Sequence, residues 1–301
     1  MQKIFLRIVK TLIHSSVVKV LANSLADEKI TIMCLSRQFS AVLLLWIAPA
    51  FNDLHAQTQS TQPNPQQVLQ ASLRVLGGAV SITDTKLLAA VQYTAGSDAE
   101  TGTAVLEASG IDEFSSVLTL TSGTQTQVRQ GTTEAVTGVN GQQHIAALHN
   151  SLYPAPWFMP ALLVQEWLRP TNNVTLVSAT TEVRNGQNVI HINAYRLPSG
   201  QFDALTGSYL LQASTADLYL DASTLLPLYL DFMAHPDNDE LTDFPVTIAF
   251  QGYRSVSGVQ IPFHIQRFLQ RSLLLDLTLS SAAINLGVPQ SDFAIQQPAI
   301  Q

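Results

Sequence analysis

Residues 246–280 read VTIAFQGYRSVSGVQIPFHIQRFLQRSLLLDLTLS, and the periodicity of this stretch decides the fold class. Val246, Ile248 and Phe250 fall on one side of the chain, with Thr247, Ala249 and Gln251 on the other. Past the turn Ser255-Val256-Ser257-Gly258, the residues Val259, Ile261, Phe263 and Ile265 alternate with Gln260, Pro262, His264 and Gln266. After Gln270-Arg271-Ser272, a third run sets Leu273, Leu275, Leu277 and Leu279 against Leu274, Asp276, Thr278 and Ser280. Alternation with period two marks antiparallel strands that bury one face and wet the other. An apolar face of this extent needs a cover, and the cover is where function is to be sought.

Outward from this ladder, further strands are expected at 87–95, 103–109, 114–122, 125–130, 174–184, 188–196, 213–221 and 225–233. Asn185-Gly186 joins two of them as a tight hairpin turn. Asn64 is the expected N-cap, and Pro65 the first residue, of a helix through Leu76 that ends at Gly77-Gly78. Its stripe is Val68, Leu69, Leu73 and Leu76. A short helix is expected over His144–Leu152. A second, over Phe158–Leu168, follows the break Tyr153-Pro154-Ala155-Pro156 and is apolar almost all round, so it is buried or covers something. The pattern predicts a mainly β (α+β) domain over 66–295, a sheet of about ten strands in an incomplete antiparallel β-barrel. Helices 66–76 and 158–168 would cover the concave face of this half-barrel. Residues 57–65 read as a disordered lead-in and 296–301 as a tail.

The chain has 301 residues, 46% hydrophobic and 12% charged, which excludes a disordered or coiled-coil protein. Residues 33–56 read as a secretory signal: Arg37 is the charge, Ser40 to Phe51 the apolar stretch and Leu54-His55-Ala56 the cleavage triplet. The apolar stretch falls short of the ~20 residues a bilayer crossing needs, so cleavage near Ala56 is expected rather than a stable transmembrane anchor. Residues 1–32 form a basic amphipathic leader, either surface-binding or untranslated if the true start is Met33. Cys34 lies within the signal, so the exported part would carry no cysteine. Of 15 Lys/Arg and 22 Asp/Glu, six and three fall in residues 1–56, leaving 9 and 19 and a net charge of −10. An acidic exterior argues against nucleic acid and against docking on anionic lipid. The expected location is the periplasm or cell envelope.

Two turns carry a resemblance. Leu218-Tyr219-Leu220-Asp221-Ala222-Ser223-Thr224-Leu225-Leu226-Pro227 reads as strand–Asp–x–x–Thr–x–x–Pro–strand. Tyr253-Arg254 through Gly258 to Pro262 reads as Tyr–Arg–x–x–x–Gly–x–x–x–Pro. With Phe293 near the end and a helix followed by hairpins, the chain resembles the periplasmic outer-membrane lipoprotein-carrier (lipoprotein-sorting) family and related envelope-stress regulators. The resemblance covers most of 66–295 and is sharp over 216–293. It implies an open barrel whose helices plug a hydrophobic concavity that receives acyl chains or another apolar partner. Turn motifs of this kind identify a fold rather than an activity.

Chemistry is sparse. No G-x-S-x-G, H-E-x-x-H, paired cysteines or phosphate-cradling glycine loop is present, so no enzyme, cofactor or metal is expected. His144 and His149 are five apart and make a poor metal pair on a helix. His191 and His264 occupy strands and could meet across the sheet, but they read better as structural histidines, each with hydrogen-bond partners. Asp237-Asn238-Asp239-Glu240 with Asp243 lacks the glycine and distal glutamate of a calcium loop and reads as a solvated turn.

The candidate site is the apolar segment itself: Trp157, Phe158, Met159, Leu162, Leu163 and Trp167. One reading makes these residues the lid or wall of a cavity for an acyl chain, a lipid or a lipidated protein, with no charged anchor needed. The other makes them ordinary core, in a fully packed barrel that serves as an interaction or envelope-sensing module for a protein partner. On the first reading, Asp at 162 and 163 abolishes acyl binding and leaves the sheet folded.

Overall fold

The computed structural model describes residues 62–197, 200–239 and 242–295. The expected leader and signal, the tail at 296–301 and the lead-in before residue 62 lie outside them.

Thirteen strands form one sheet: β1 (Asp84–Ala95), β2 (Asp98–Ser109), β3 (Glu113–Leu120), β4 (Gly123–Gln130), β5 (Thr133–Thr137), β6 (Gln143–Ile145), β7 (Val174–Arg184), β8 (Gln187–Arg196), β9 (Ala216–Asp221), β10 (Pro227–Ala234), β11 (Phe244–Val256), β12 (Val259–Leu269) and β13 (Ser272–Ile284). The spatial order is β6-β5-β4-β3-β2-β1-β13-β12-β11-β10-β9-β8-β7. All neighbouring pairs are antiparallel, and all but one join strands consecutive in the chain. The last strand, β13, returns to pair antiparallel with the first, β1, and so fuses two meanders into one sheet. β6 and β7 stand at its two ends and do not pair with each other, which leaves an open half-barrel rather than a closed one.

The inner face carries the alternation read from the sequence. One rung runs Val91, Leu277, Ile265, Phe250 across four strands in register, each 2% exposed or less. Across this face lie α1 (Pro65–Val75) and α2 (Pro160–Trp167), whose buried residues share one hydrophobic cluster with the strands. Asn64 caps α1 by accepting from the Gln67 amide at 3.0 Å, with Pro65 at the first position. At its other end the helix meets the β11–β12 turn: the Gln260 amide donates to the Leu76 carbonyl at 3.0 Å. Gly77, at φ 103°, makes this approach possible, because a Cβ there would lie 2.2 Å from the Gly258 carbonyl oxygen. Gly77→Ala is therefore expected to cost about 2 kcal/mol or more, by combining left-handed strain with a backbone clash. Urea unfolding measures this cost; a loss below about 0.5 kcal/mol would mean the helix is not docked there.

Four expectations are corrected. Among the described residues thirteen strands are present, not about ten, because β5 and β6 are too short and too polar to show a period. No helix spans 144–152: His144 lies in β6, hydrogen-bonded in register with Val136, and only Leu148–Ser151 makes a 3-10 turn. The helix expected over 158–168 starts at Pro160, with Met159 at its N-cap and no side-chain cap. An unforeseen helix, α3 (Ala204–Ser214), precedes β9, so residues 213–214 end a helix rather than begin a strand. Asp203 caps α3 through the Leu205 and Thr206 amides, and Leu210 and Ala213 pack on Leu152 in a small second cluster.

The two turn motifs meet in space. The Asp221 carboxylate accepts from the Ser223 and Thr224 amides at 2.9 and 2.7 Å, which folds the β9–β10 turn. The Tyr253 hydroxyl on β11 donates to the Pro227 carbonyl at 2.7 Å and so ties the second motif to the first.

Candidate functional site

The segment from β6 to β7 must travel from one end of the open sheet to the other. Its apolar part, 152–168, takes the path across the inner face, since no other surface could bury so many large side chains. Trp157, Phe158, Met159, Leu162, Leu163 and Trp167 are all buried there, and Phe158, Met159, Leu162 and Leu163 have no exposed surface. Trp157 meets Phe158 edge-to-face at 5.2 Å between ring centroids, and Phe158 meets Phe114 of β3 in the same way at 6.4 Å. The structure thus brings all six residues together as packed core.

Around this plug, polar side chains replace backbone pairing. Gln165 of α2 exchanges two hydrogen bonds with Ile82, donating to its carbonyl at 2.7 Å and accepting from its amide at 2.9 Å. The buried Glu166 pairs with Arg169 at 2.7 Å and accepts from Asn172 at 2.6 Å. The C-terminal end of α2 is therefore fastened by side chains, whereas its N-terminal end at Met159 is held by apolar contact and backbone bonds.

Full burial bears on one expectation. Aspartate at 162 or 163 would place a carboxylate among side chains of no exposure, so the substitution does not separate binding from folding.

Openings lie at the flanks. Trp157 lines a pocket of 180 Å³ between β3–β5 and β12–β13, together with Leu118, Gln127, Val136, Arg267 and Leu275. Trp167 lines another space of 410 Å³ at the start of α1, beside Pro65, Arg169 and Leu176. The first is smaller than the ~300–1,000 Å³ usual for ligand pockets.

Polar residues that the sequence reading passed over sit on the inner face at the β4–β5 end. Arg129 and Glu134 face each other in register across β4 and β5, each 3% exposed. Glu134 accepts from Gln127 at 2.6 Å and from the Tyr153 hydroxyl at 3.0 Å. Arg129 donates to the Tyr153 carbonyl at 2.5 Å and to the Gly131 carbonyl at 3.2 Å. Burial pushes the Glu134 carboxyl above its ordinary range, against the opposing pull of the Gln127 hydrogen bond and the Arg129 charge. Burial likewise lowers Arg129 and raises the Tyr153 phenol. The available signal was register. Gln125, Gln127 and Arg129 pair with Leu118, Ser116 and Phe114 and so had to point inward.

The histidines do not assemble. His191 on β8 lies 2.7 Å from Asp217 on β9, and His264 on β12 lies 2.9 Å from Asp276 on β13, with β10 and β11 between the two pairs. His191 and His264 thus do not meet, and each is a structural histidine held by a carboxylate on an adjacent strand. The acidic loop is likewise more than a solvated turn. Asp237 accepts from the Ala147 amide and the Asn150 side chain, both at 3.0 Å, and fastens the loop to the 3-10 turn. Among the described residues no group of three or more His, Cys, Asp or Glu could hold a metal ion, and no helix is long and apolar enough to cross a membrane.

Neither a protein-family model nor a curated protein matches the chain. Solved structures do. One is a putative outer membrane lipoprotein-sorting protein domain from Vibrio parahaemolyticus, 12% identical, covering 76% of this chain and 97% of that one at a TM-score of 0.46. A LolA-superfamily protein from Nitrosomonas europaea is 11% identical over 77% and 98%, at 0.48. A DUF1329-family protein from Desulfovibrio piger is 10% identical over 77% and 98%, at 0.45. The first of them bears the lipoprotein-sorting name of the family that the turn motifs resemble. At such identities and scores no ligand or site residue is carried over from them.

Proposed function

We propose that the chain is an exported, non-catalytic protein of the cell envelope that binds or carries a lipid-like or lipidated partner on the inner face of its half-barrel. On this reading residues 66–295 are the functional domain, released by cleavage near Ala56. The observation that carries the proposal is the plug. An open sheet presents a continuous apolar face, and residues 157–167, apolar almost throughout and uncapped at Met159, occupy the place an acyl chain would take. Each methylene removed from water contributes about 0.8 kcal/mol, so a chain that displaces part of the plug exchanges one apolar contact for another. Trp157, Phe158, Met159, Leu162, Leu163 and Trp167 would line or close the resulting cavity.

The full burial of those same six residues favours a second reading, a packed barrel that recognises a protein partner. A fluorescent fatty-acyl probe separates the two. Saturable binding to the cleaved, full-length mature protein, with a change in Trp157 and Trp167 emission, is expected for the carrier. No binding, together with no lipid in organic extracts of the natively purified protein, leaves the interaction module.

A further inference from the structure

Position 267 breaks the apolar series on β12. Val259, Ile261 and Ile265 share the inner face, and Arg267 follows two residues after Ile265, opposite Ile248 on β11 and Leu275 on β13. The other half-buried arginines are paired, Arg184 with Asp231 and Arg196 with Asp112, and even the exposed Arg169 pairs with Glu166. Arg267 forms no hydrogen bond or ion pair among the described residues, and its Nε is shielded from solvent without a partner. Its guanidinium lies over the Trp157 ring, 5.4 Å from the centroid. Trp157 is 1% exposed, and its indole Nε1 is likewise buried without a partner. Both residues line the 180 Å³ pocket, whose other walls include Leu118, Val136 and Leu275.

Two donors shielded from solvent without partners, in a pocket walled by both apolar residues and the polar Ser116, Gln125, Thr126 and Gln127, are costly unless something fills them. An anionic oxygen group suits both, since a guanidinium offers a fork of N–H donors and an indole one more. The exterior of the exported chain, at −10, disfavours the approach of small free anions, so apolar attachment has to bring the anion in. We infer that Arg267 and Trp157 form a head-group subsite for an acidic amphiphile, a carboxylate or phosphate on an apolar chain lying against Leu118, Val136 and Leu275. The inference rests on the lipid-binding reading and adds to it the charge of the ligand. It also replaces the expectation that no charged anchor is needed, because the anchor comes from β12 rather than from the plug.

The test is calorimetric titration of the mature full-length protein with dodecanoate, dodecyl phosphate and 1-dodecanol, which share one chain and differ in head group. Wild type is expected to bind at least one anion about tenfold or more tighter than the alcohol, as a charge-assisted hydrogen bond would give. The ratio of carboxylate to phosphate identifies the head group. Arg267→Gln removes a half-buried cation that makes no hydrogen bond or ion pair among the described residues, so the variant is expected to fold and to bind the anions no tighter than the alcohol. Arg267→Lys keeps the charge without the fork and is expected to retain a reduced preference. Equal binding of all three ligands by wild type overturns the head-group subsite and leaves the lipid-binding reading standing. Binding of none overturns both. An anion preference that survives Arg267→Gln overturns the role of Arg267.

Discussion

Leu163→Asp is expected to unfold the domain rather than empty a binding site. Leu163 has no exposed surface and lies in the same cluster as the inner faces of both meanders. Truncating a buried leucine costs about 2–5 kcal/mol through lost burial and the cavity left behind. A carboxylate at that position adds the cost of desolvating a charge, several kcal/mol more. The sum, above about 5 kcal/mol, is comparable to the whole stability of a typical domain. Circular dichroism and urea unfolding are the measurements, with Leu163→Ala as the graded control at about 2–5 kcal/mol. A folded Leu163→Asp protein with an unchanged urea midpoint would instead show that residues 157–167 detach from the sheet at little cost. That outcome would strengthen the carrier reading by making the plug a true lid.

Arg129→Met should produce the second-largest loss, about 3–5 kcal/mol. Methionine fills much of the arginine volume, so the effect isolates polarity rather than packing. The Tyr153 and Gly131 carbonyls lose their donor, and Glu134 loses the positive charge that favours its ionised form. The same cluster sets a pH dependence. Glu134 titrates above its ordinary range in the folded protein, so its contribution to stability is complete below the unfolded value. That contribution is lost as pH rises through the folded value, because the unfolded chain then releases a proton that the folded protein still holds. Glu134→Gln keeps an acceptor for Gln127 and removes the titration. Urea midpoints taken at about pH 4.5 and about pH 7.5 should therefore fall less between the two conditions in Glu134→Gln than in wild type. An identical fall would mean that Glu134 is ionised in the folded protein at ordinary pH.

Local structure was legible wherever a short stretch of chain carries its own physical cause. Period-two alternation over 246–280 requires strands with one wet face, and β11, β12 and β13 follow it. Asn64 and Pro65 start α1 because a side-chain acceptor and a preset φ act within one turn. Asn185 and Gly186 both adopt positive φ, at 52° and 79°, as a two-residue hairpin demands. The open antiparallel architecture follows from these pieces, since hairpins of similar strands stack in sequence.

Tertiary structure alone decided the rest. The pairing of β13 with β1 joins residues nearly two hundred positions apart, and no local pattern encodes such a partner. β5, β6 and α3 have little periodicity of their own; sheet neighbours and the packing of Leu210 and Ala213 on Leu152 stabilise them. The six plug residues were recognisable as a group because they are contiguous and apolar. Whether they line a cavity or fill it depends on how closely two distant meanders approach, and in the structure they fill it. Arg129, Glu134 and Arg267 were hidden for a related reason. A charged residue in a strand reads as an outward one until register shows which face it shares, and here the register turns all three inward.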